Sequence, residues 1–205
     1  MYKHIIFDID GTLIDTEKTG VLSLQMTVRE LLDKEMTYDE LYPYFGIPSF
    51  KAAAMMEYDD KEKFAQVWEE HFQELMYLVK PFDGVPEMLA QLKREGKVMG
   101  IVTSRNRFEF QYDLNLKKWA SIFDHIICSE DSVRHKPDPD PMLAYIAKSR
   151  AEAQECLYVG DTIYDFQCGD GAGVDFALAD WHRRGVQGIS AKYHVCSAEE
   201  ILQIC

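Results

Sequence analysis

No run in this sequence approaches the roughly 20 consecutive apolar residues that a membrane-spanning helix needs. The opening stretch, Met1 to Phe7, is one short apolar run that stops at an Asp. It lacks the length and cleavage pattern of a signal peptide. Positive charge is scarce: 22 Lys and Arg stand against 35 Asp and Glu, a formal net charge of -13. Nucleic acid and anionic membranes need cationic contacts, so both are excluded as expected partners. The same surface repels a small anion at long range, so any anion site must make its own local positive charge. There are five cysteines, Cys128, Cys156, Cys168, Cys196 and Cys205, and no pair has metal-ligand spacing. An odd set without such spacing reads as reduced, mostly buried thiols of a cytoplasmic protein. No low-complexity segment or internal repeat is present, and nothing marks an oligomeric state.

What is present is a chain of 205 residues, 47% hydrophobic and 28% charged. That suffices for one sizeable domain, or one domain with a small insertion. Tyr2 to Phe7 reads as a buried strand, and Asp8 to Thr12 as a loop in which Gly11 permits a tight turn. From about Thr16 to Lys80 the pattern is helical. Val21, Leu24, Val28, Leu31 and Leu32 share one helical face, as do Phe64, Val67, Trp68, Phe72, Leu75 and Met76. A breaker-rich loop, Tyr42 to Pro48, separates them. After Pro81 strands and helices alternate. Strands are expected at Val98–Thr103, Phe123–Cys128, Cys156–Gly160 and Val174–Ala179. Helices are expected at Pro86–Arg94, Arg107–Lys118, Pro141–Lys148 and Tyr164–Ala172.

That alternation implies an α/β fold, a Rossmann-like parallel sheet with helices on both faces. The helical stretch sits between the first strand and the rest. The expected core is therefore discontinuous, residues 1–15 and 81–205, with residues 16–80 inserted as a small helical unit. In such sheets ligands bind beyond the C-terminal ends of the strands. Four of those ends carry polar clusters: Asp8-Ile9-Asp10-Gly11-Thr12, then Thr103-Ser104-Arg105, then His135-Lys136-Pro137, then Gly160-Asp161-Thr162 with Asp165. An Asp-x-Asp alone is ordinarily a loop or a helix cap. The convergence of four clusters on one sheet edge carries the argument. Paired carboxylates hold a hard divalent cation, a Thr hydroxyl and Gly-rich backbone meet phosphate oxygens, and a Lys supplies point charge.

The stretch from Asp8 to Thr16, DIDGTLIDT, resembles the first motif of the haloacid dehalogenase-like hydrolases. Thr103 resembles the second motif, Lys136-Pro137 the third, and Gly160-Asp161 with Asp165 the fourth, in the family's order. The overall pattern is similar to its phosphoglycolate phosphatase branch, with a small helical cap. The resemblance implies a phosphatase of small phosphorylated metabolites that forms an aspartyl-phosphate. Asp8 matches the nucleophile and Asp10 the general acid and base. Asp8, Asp161 and the backbone carbonyl of Asp10 would hold Mg2+. Gly11, Thr12, Thr103, Ser104 and Lys136 would meet the phosphoryl group, and Asp165 would orient Lys136 or a metal-bound water. Gly46 and Ser49 are candidate specificity contacts in the cap. Arg105 either meets an anion of the substrate or is a solvated residue at a helix start. Dehalogenases of the family lack an acid at the position of Asp10, which favours phosphoryl transfer. A phosphosugar mutase, a pyrophosphatase and a nucleotide phosphatase are the alternatives.

Overall fold

The computed structural model of the chain describes every residue except Gly46, Pro48, Arg184 and Val186, together with their side chains apart from those of Tyr112 and Leu114. It divides into two compact units, Met1–Ile14 with Pro81–Cys205, and Asp15–Lys80.

The first unit is built on strands β1 (His4–Phe7), β4 (Val98–Val102), β5 (His125–Ile127), β6 (Cys156–Gly160), β7 (Asp175–Ala179) and β8 (Tyr193–Val195). Short strands β2 (Ile14–Asp15) and β3 (Lys80–Pro81) form a separate ladder where the chain leaves and re-enters this unit. The six long-sheet strands pair in parallel in the order β5-β4-β1-β6-β7-β8. Side chains alternate along each strand. Ile6, Val102, Tyr158 and Phe176 join one buried cluster with Met142, Tyr145 and Cys168 from the helices α8 (Asp140–Ser149) and α9 (Ile163–Gly171). Ile5, Phe7, Met99, Ile101, Leu157 and Val159 point the other way and are buried too, so both faces are covered. Helices α5 (Val85–Arg94) and α10 (Ala198–Ile204) pack against each other and against β4 and β8 respectively.

Strand order reverses at β1. The chain steps from β1 to β4 and β5 on one side, then returns to β6, β7 and β8 on the other. Phe7 is level with both Ile101 and Val159, so the C-terminal ends of β1, β4 and β6 lie side by side. A crevice at such a reversal is where open α/β sheets bind ligands.

Most expected elements occur within a residue or two of their expected limits. The helix expected over Arg107–Lys118 is instead two, α6 (Arg107–Tyr112) and α7 (Leu114–Trp119). Asp113 between them takes an extended conformation, and its carboxylate accepts the amides of Asn115 and Leu116 as the cap of α7. Short polar side chains favour caps over helix interiors for this reason. Strand β8 and helix α10 close the chain beyond the elements expected from sequence.

The second unit is helical: α1 (Glu17–Leu32), α2 (Tyr38–Leu41), α3 (Ser49–Met55) and α4 (Lys61–Glu74). Val21, Leu24, Val28, Leu41, Ala52, Ala53 and Phe64 form its core, and Trp68 packs against it. The Trp68 indole N–H donates to the Ser23 hydroxyl at 2.9 Å, so a large ring is half-buried without stranding its donor. Tyr77, the residue after Met76, where the expected apolar face ends, is 78% exposed. It follows the end of α4, where the helical period that would turn it inward has stopped. Among the described residues no helix is long and apolar enough to cross a membrane.

Candidate active site

The site begins with the turn after β1. Asp8 continues the strand, its amide donating to the Val159 carbonyl at 2.9 Å. The chain then folds back: Leu13 and Ile14 amides donate to the Ile9 carbonyl, and Gly11 donates to Ile14 at 2.9 Å. Gly11 has φ +78°, a backbone conformation suited to glycine. The Trp181 indole N–H donates to the Thr12 carbonyl at 2.9 Å and braces the loop from the end of β7. Gly11 and Thr12, expected to give an anion close backbone approach, donate their amides inside the turn, Thr12 to Ile9 at 3.2 Å. The Thr12 hydroxyl donates to Asp161 Oδ1 at 3.2 Å.

Lys136 reaches into this site from the segment between β5 and α8. Its Nζ donates to Asp8 Oδ1 at 2.8 Å and Asp165 Oδ1 at 2.6 Å. It also lies 5.4 Å from the Tyr158 ring centre. Burial alone would lower the Lys136 pKa, but the carboxylates of Asp165 and Asp8 outweigh it and the ammonium is strongly favoured. Asp165 is held by more than Lys136. Its Oδ1 also accepts from the Tyr158 hydroxyl at 2.8 Å, and its Oδ2 accepts from the amide and hydroxyl of Thr162. Four hydrogen bonds fill about the number of acceptor positions that a carboxylate has. Burial pushes Asp165 up, but Lys136, Thr162 and Tyr158 hold it below the ordinary carboxylate range. Thr162 and Asp165 are also the capping box of α9, so helix initiation and the seat of Lys136 share one carboxylate.

Carboxylate oxygens of Asp8, Asp161 and Asp165 all lie within 4.8 Å of one another. Burial raises the Asp8 pKa to about 7, with Asp165 and Asp10 adding to the rise and Lys136 opposing it. Asp161 is pushed well above the usual range by desolvation and by Asp165 and Asp8. Crowded hard oxygen donors with excess negative charge suit a divalent cation. Asp165 belongs to this cluster by distance, but its filled acceptor sites fit it for positioning Lys136.

Thr103 is buried at the end of β4, with its amide donating to Ile127 at 3.1 Å and its hydroxyl accepting the Arg105 amide at 3.1 Å. Ser104 is exposed. Arg105 is not a solvated helix residue: it is buried and its guanidinium grips the Asp10 carboxylate at 2.6 and 2.8 Å. The Asp10 side chain thereby lies with Arg105, outside the cluster of Asp8, Asp161 and Asp165. Ser49 opens α3 in the helical unit and is half-buried. Gly46, the other expected specificity contact, lies outside the described residues. Sequence reasoning passed over Asp113, Tyr158 and Trp181. Asp113 lies inside a helical pattern and Tyr158 inside an apolar run, where neither stands out.

Comparison with known proteins adds the family context. Residues 5–179 match the family described as haloacid dehalogenase-like hydrolase. The chain is similar to a phosphoglycolate phosphatase of Aquifex aeolicus, 32% identical over 87% of this chain and 85% of that one. It is also similar to a pyrophosphatase PpaX of Bacillus velezensis, 28% identical over 91% of this chain and 87% of that one. Among solved structures it resembles a haloacid dehalogenase-like hydrolase of Streptococcus pneumoniae, with a TM-score of 0.87, 19% identity, and coverage of 99% and 98% of the two chains.

Proposed function

The chain belongs to the haloacid dehalogenase-like hydrolases, and from that membership we propose that it is a magnesium-dependent phosphatase of small phosphorylated metabolites with Asp8 as nucleophile. One observation supports this above the rest: Asp8 lies against the Lys136 ammonium and beside Asp161, at the strand ends where the sheet order reverses.

The chemistry follows from those neighbours. A carboxylate and a phosphate ester repel each other, so attack needs local positive charge. Lys136 supplies one such charge at Asp8 Oδ1 and, anchored by Asp165, cannot swing away. Asp8, Asp161 and the backbone carbonyl of Asp10 would hold magnesium, which supplies Lewis-acid charge to the phosphoryl oxygens when bound. A carboxylate oxygen of Asp8 attacks phosphorus, and the bond to the leaving oxygen breaks as the aspartyl-phosphate forms. Asp10 gives that oxygen its proton, then takes one from the water that attacks phosphorus and returns Asp8 and inorganic phosphate. Thr103 meets the transferring group from the end of β4. The helical unit takes the family's cap role in this scheme, with Gly46 and Ser49 as its specificity contacts.

Relatives of the two names above act on substrates with a second acidic group, so 2-phosphoglycolate and pyrophosphate head the substrate panel. Phosphate release is measured with and without magnesium for wild type and Asp8→Asn. Magnesium-dependent release that falls by at least about a thousandfold in the variant is expected. Equal release from both proteins would remove Asp8 from the mechanism.

A further inference from the structure

Arg105 is fixed from two sides. Its Nε and Nη2 donate to Asp10 Oδ2 and Oδ1 at 2.8 and 2.6 Å, a two-pronged grip on the whole carboxylate. Its Nη1 donates to Asp113 Oδ2 at 3.0 Å. Asp113 is fully buried, and its other oxygen caps α7 through the amides of Asn115 and Leu116 at 2.8 and 3.2 Å. Moving Asp113 would uncap that helix. The Arg105 side chain is 9% exposed and that of Asp10 is 37% exposed. Of the three groups, Asp10 is therefore the one with room to move, and the guanidinium stays where Asp113 holds it.

This arrangement has a consequence for chemistry. Both oxygens of Asp10 lie on Arg105, so the guanidinium sets the orientation of the carboxylate, and turning it toward a leaving oxygen means giving up at least one of those contacts. A carboxylate or phosphate group presents a guanidinium with the same paired oxygens as Asp10 does. Such an anion is a direct competitor for the same edge of Arg105. We propose that Arg105 selects substrates whose leaving portion carries a second anionic group, and that it does so by exchanging Asp10 for that group. The exchange seats the substrate and frees Asp10 for the leaving oxygen in one event. A substrate with an uncharged leaving portion must separate Asp10 from Arg105 with nothing to replace it. This inference rests on the phosphatase reading and adds to it a substrate class and a positioning role for Arg105.

The test compares kcat/KM for 2-phosphoglycolate, pyrophosphate and ethyl phosphate. The proteins are wild type, Arg105→Gln, and the double variant Arg105→Ala with Asp113→Asn. The double variant removes both buried charges, so Asp113 is not left unpaired. A ratio of two substrates in one sample does not depend on how much of that sample is folded. Wild type is expected to favour the two charged substrates. In both variants that preference should shrink by at least about tenfold, as the charged substrates slow and ethyl phosphate speeds up. A response by only one charged substrate identifies the anion, carboxylate or phosphate, that Arg105 accepts. Ratios that stay within about twofold of wild type in active variants overturn the inference and leave the phosphatase reading intact. Absence of phosphate release from wild type overturns both.

Discussion

Gly11 joins backbone conformation to chemistry at a single position. A β-carbon placed there would fall 2.1 Å from Asp161 Oδ2, and the φ of +78° already disfavours any other residue. The missing side chain is what lets the first loop and the end of β6 bring their carboxylates together. Gly11→Ala should therefore displace Asp161 rather than merely strain the turn. A shift of about 1 Å in a reacting group costs on the order of a hundredfold in rate. We expect kcat/KM to fall by about that factor and the magnesium concentration for half-activation to rise. Activity titrated against magnesium checks this, and an unchanged titration curve would show that Asp161 tolerates the methyl group. Gly160 poses the same problem on the other side, since a β-carbon there would lie 2.6 Å from Asp165 Cβ.

Among the elements, legibility followed the strength of local pattern. Buried parallel strands are continuous apolar runs, and Cys156–Gly160 was legible to its last residue for that reason. The polar residues after such runs are equally visible, so Asp8, Thr103, Lys136 and Asp161 stand out in the sequence alone. Their connections do not. That Arg105 grips Asp10, or that Tyr158 donates to Asp165, depends on strands far apart in sequence, and no spacing encodes it. The break at Asp113 was hidden because tertiary pairing with Arg105 decides it against a helical pattern. Strand β8 has three residues with His194 in the middle, so no apolar run marks it. Gly100 belongs with these hidden features. It lies in mid-strand in β4, and a β-carbon there would meet the Tyr145 ring of α8 at 2.1 Å. Gly100→Ala should cost about 1–3 kcal/mol by overpacking. That corresponds to a fall in Tm of roughly 2–12 °C for a chain of this size. The clash is in the core cluster, so kcat/KM of the folded variant should stay within about twofold of wild type. Calorimetry with steady-state kinetics separates the two effects, and an unshifted Tm would mean that α8 moves aside freely.

Over the whole molecule the acidic balance acts on stability as well as on substrate. Net charge is -13, and the site concentrates part of it in three adjacent carboxylates. The folded protein binds a proton on Asp8 more tightly than the unfolded chain does, with a pKa raised to about 7 by burial. Asp161 is raised as well, by burial and by the charges of Asp165 and Asp8. For groups raised in this way the sign is definite. Their contribution to stability is complete below the ordinary carboxylate range and is lost as pH rises through the folded-state values. Asp165, held low by Lys136, has the opposite sign and protects the fold until pH falls below the ordinary range. The metal-free protein should therefore lose thermal stability between about pH 5 and pH 8 through Asp8, and Asp161 contributes with the same sign. Magnesium held as proposed takes the deprotonated carboxylates, so its apparent affinity should grow over the same interval. Stabilisation by a ligand increases with its concentration relative to its dissociation constant. The rise in Tm on adding magnesium should then be small near pH 5 and several degrees near pH 8, on the order of 1–3 kcal/mol at saturating metal. Asp161→Asn removes one titrating group and one metal ligand together, so it should flatten the pH dependence and shrink the metal shift. Melting curves across that interval, with and without magnesium, test both. An equal magnesium shift at the two pH values would mean that protons and metal do not compete for these carboxylates.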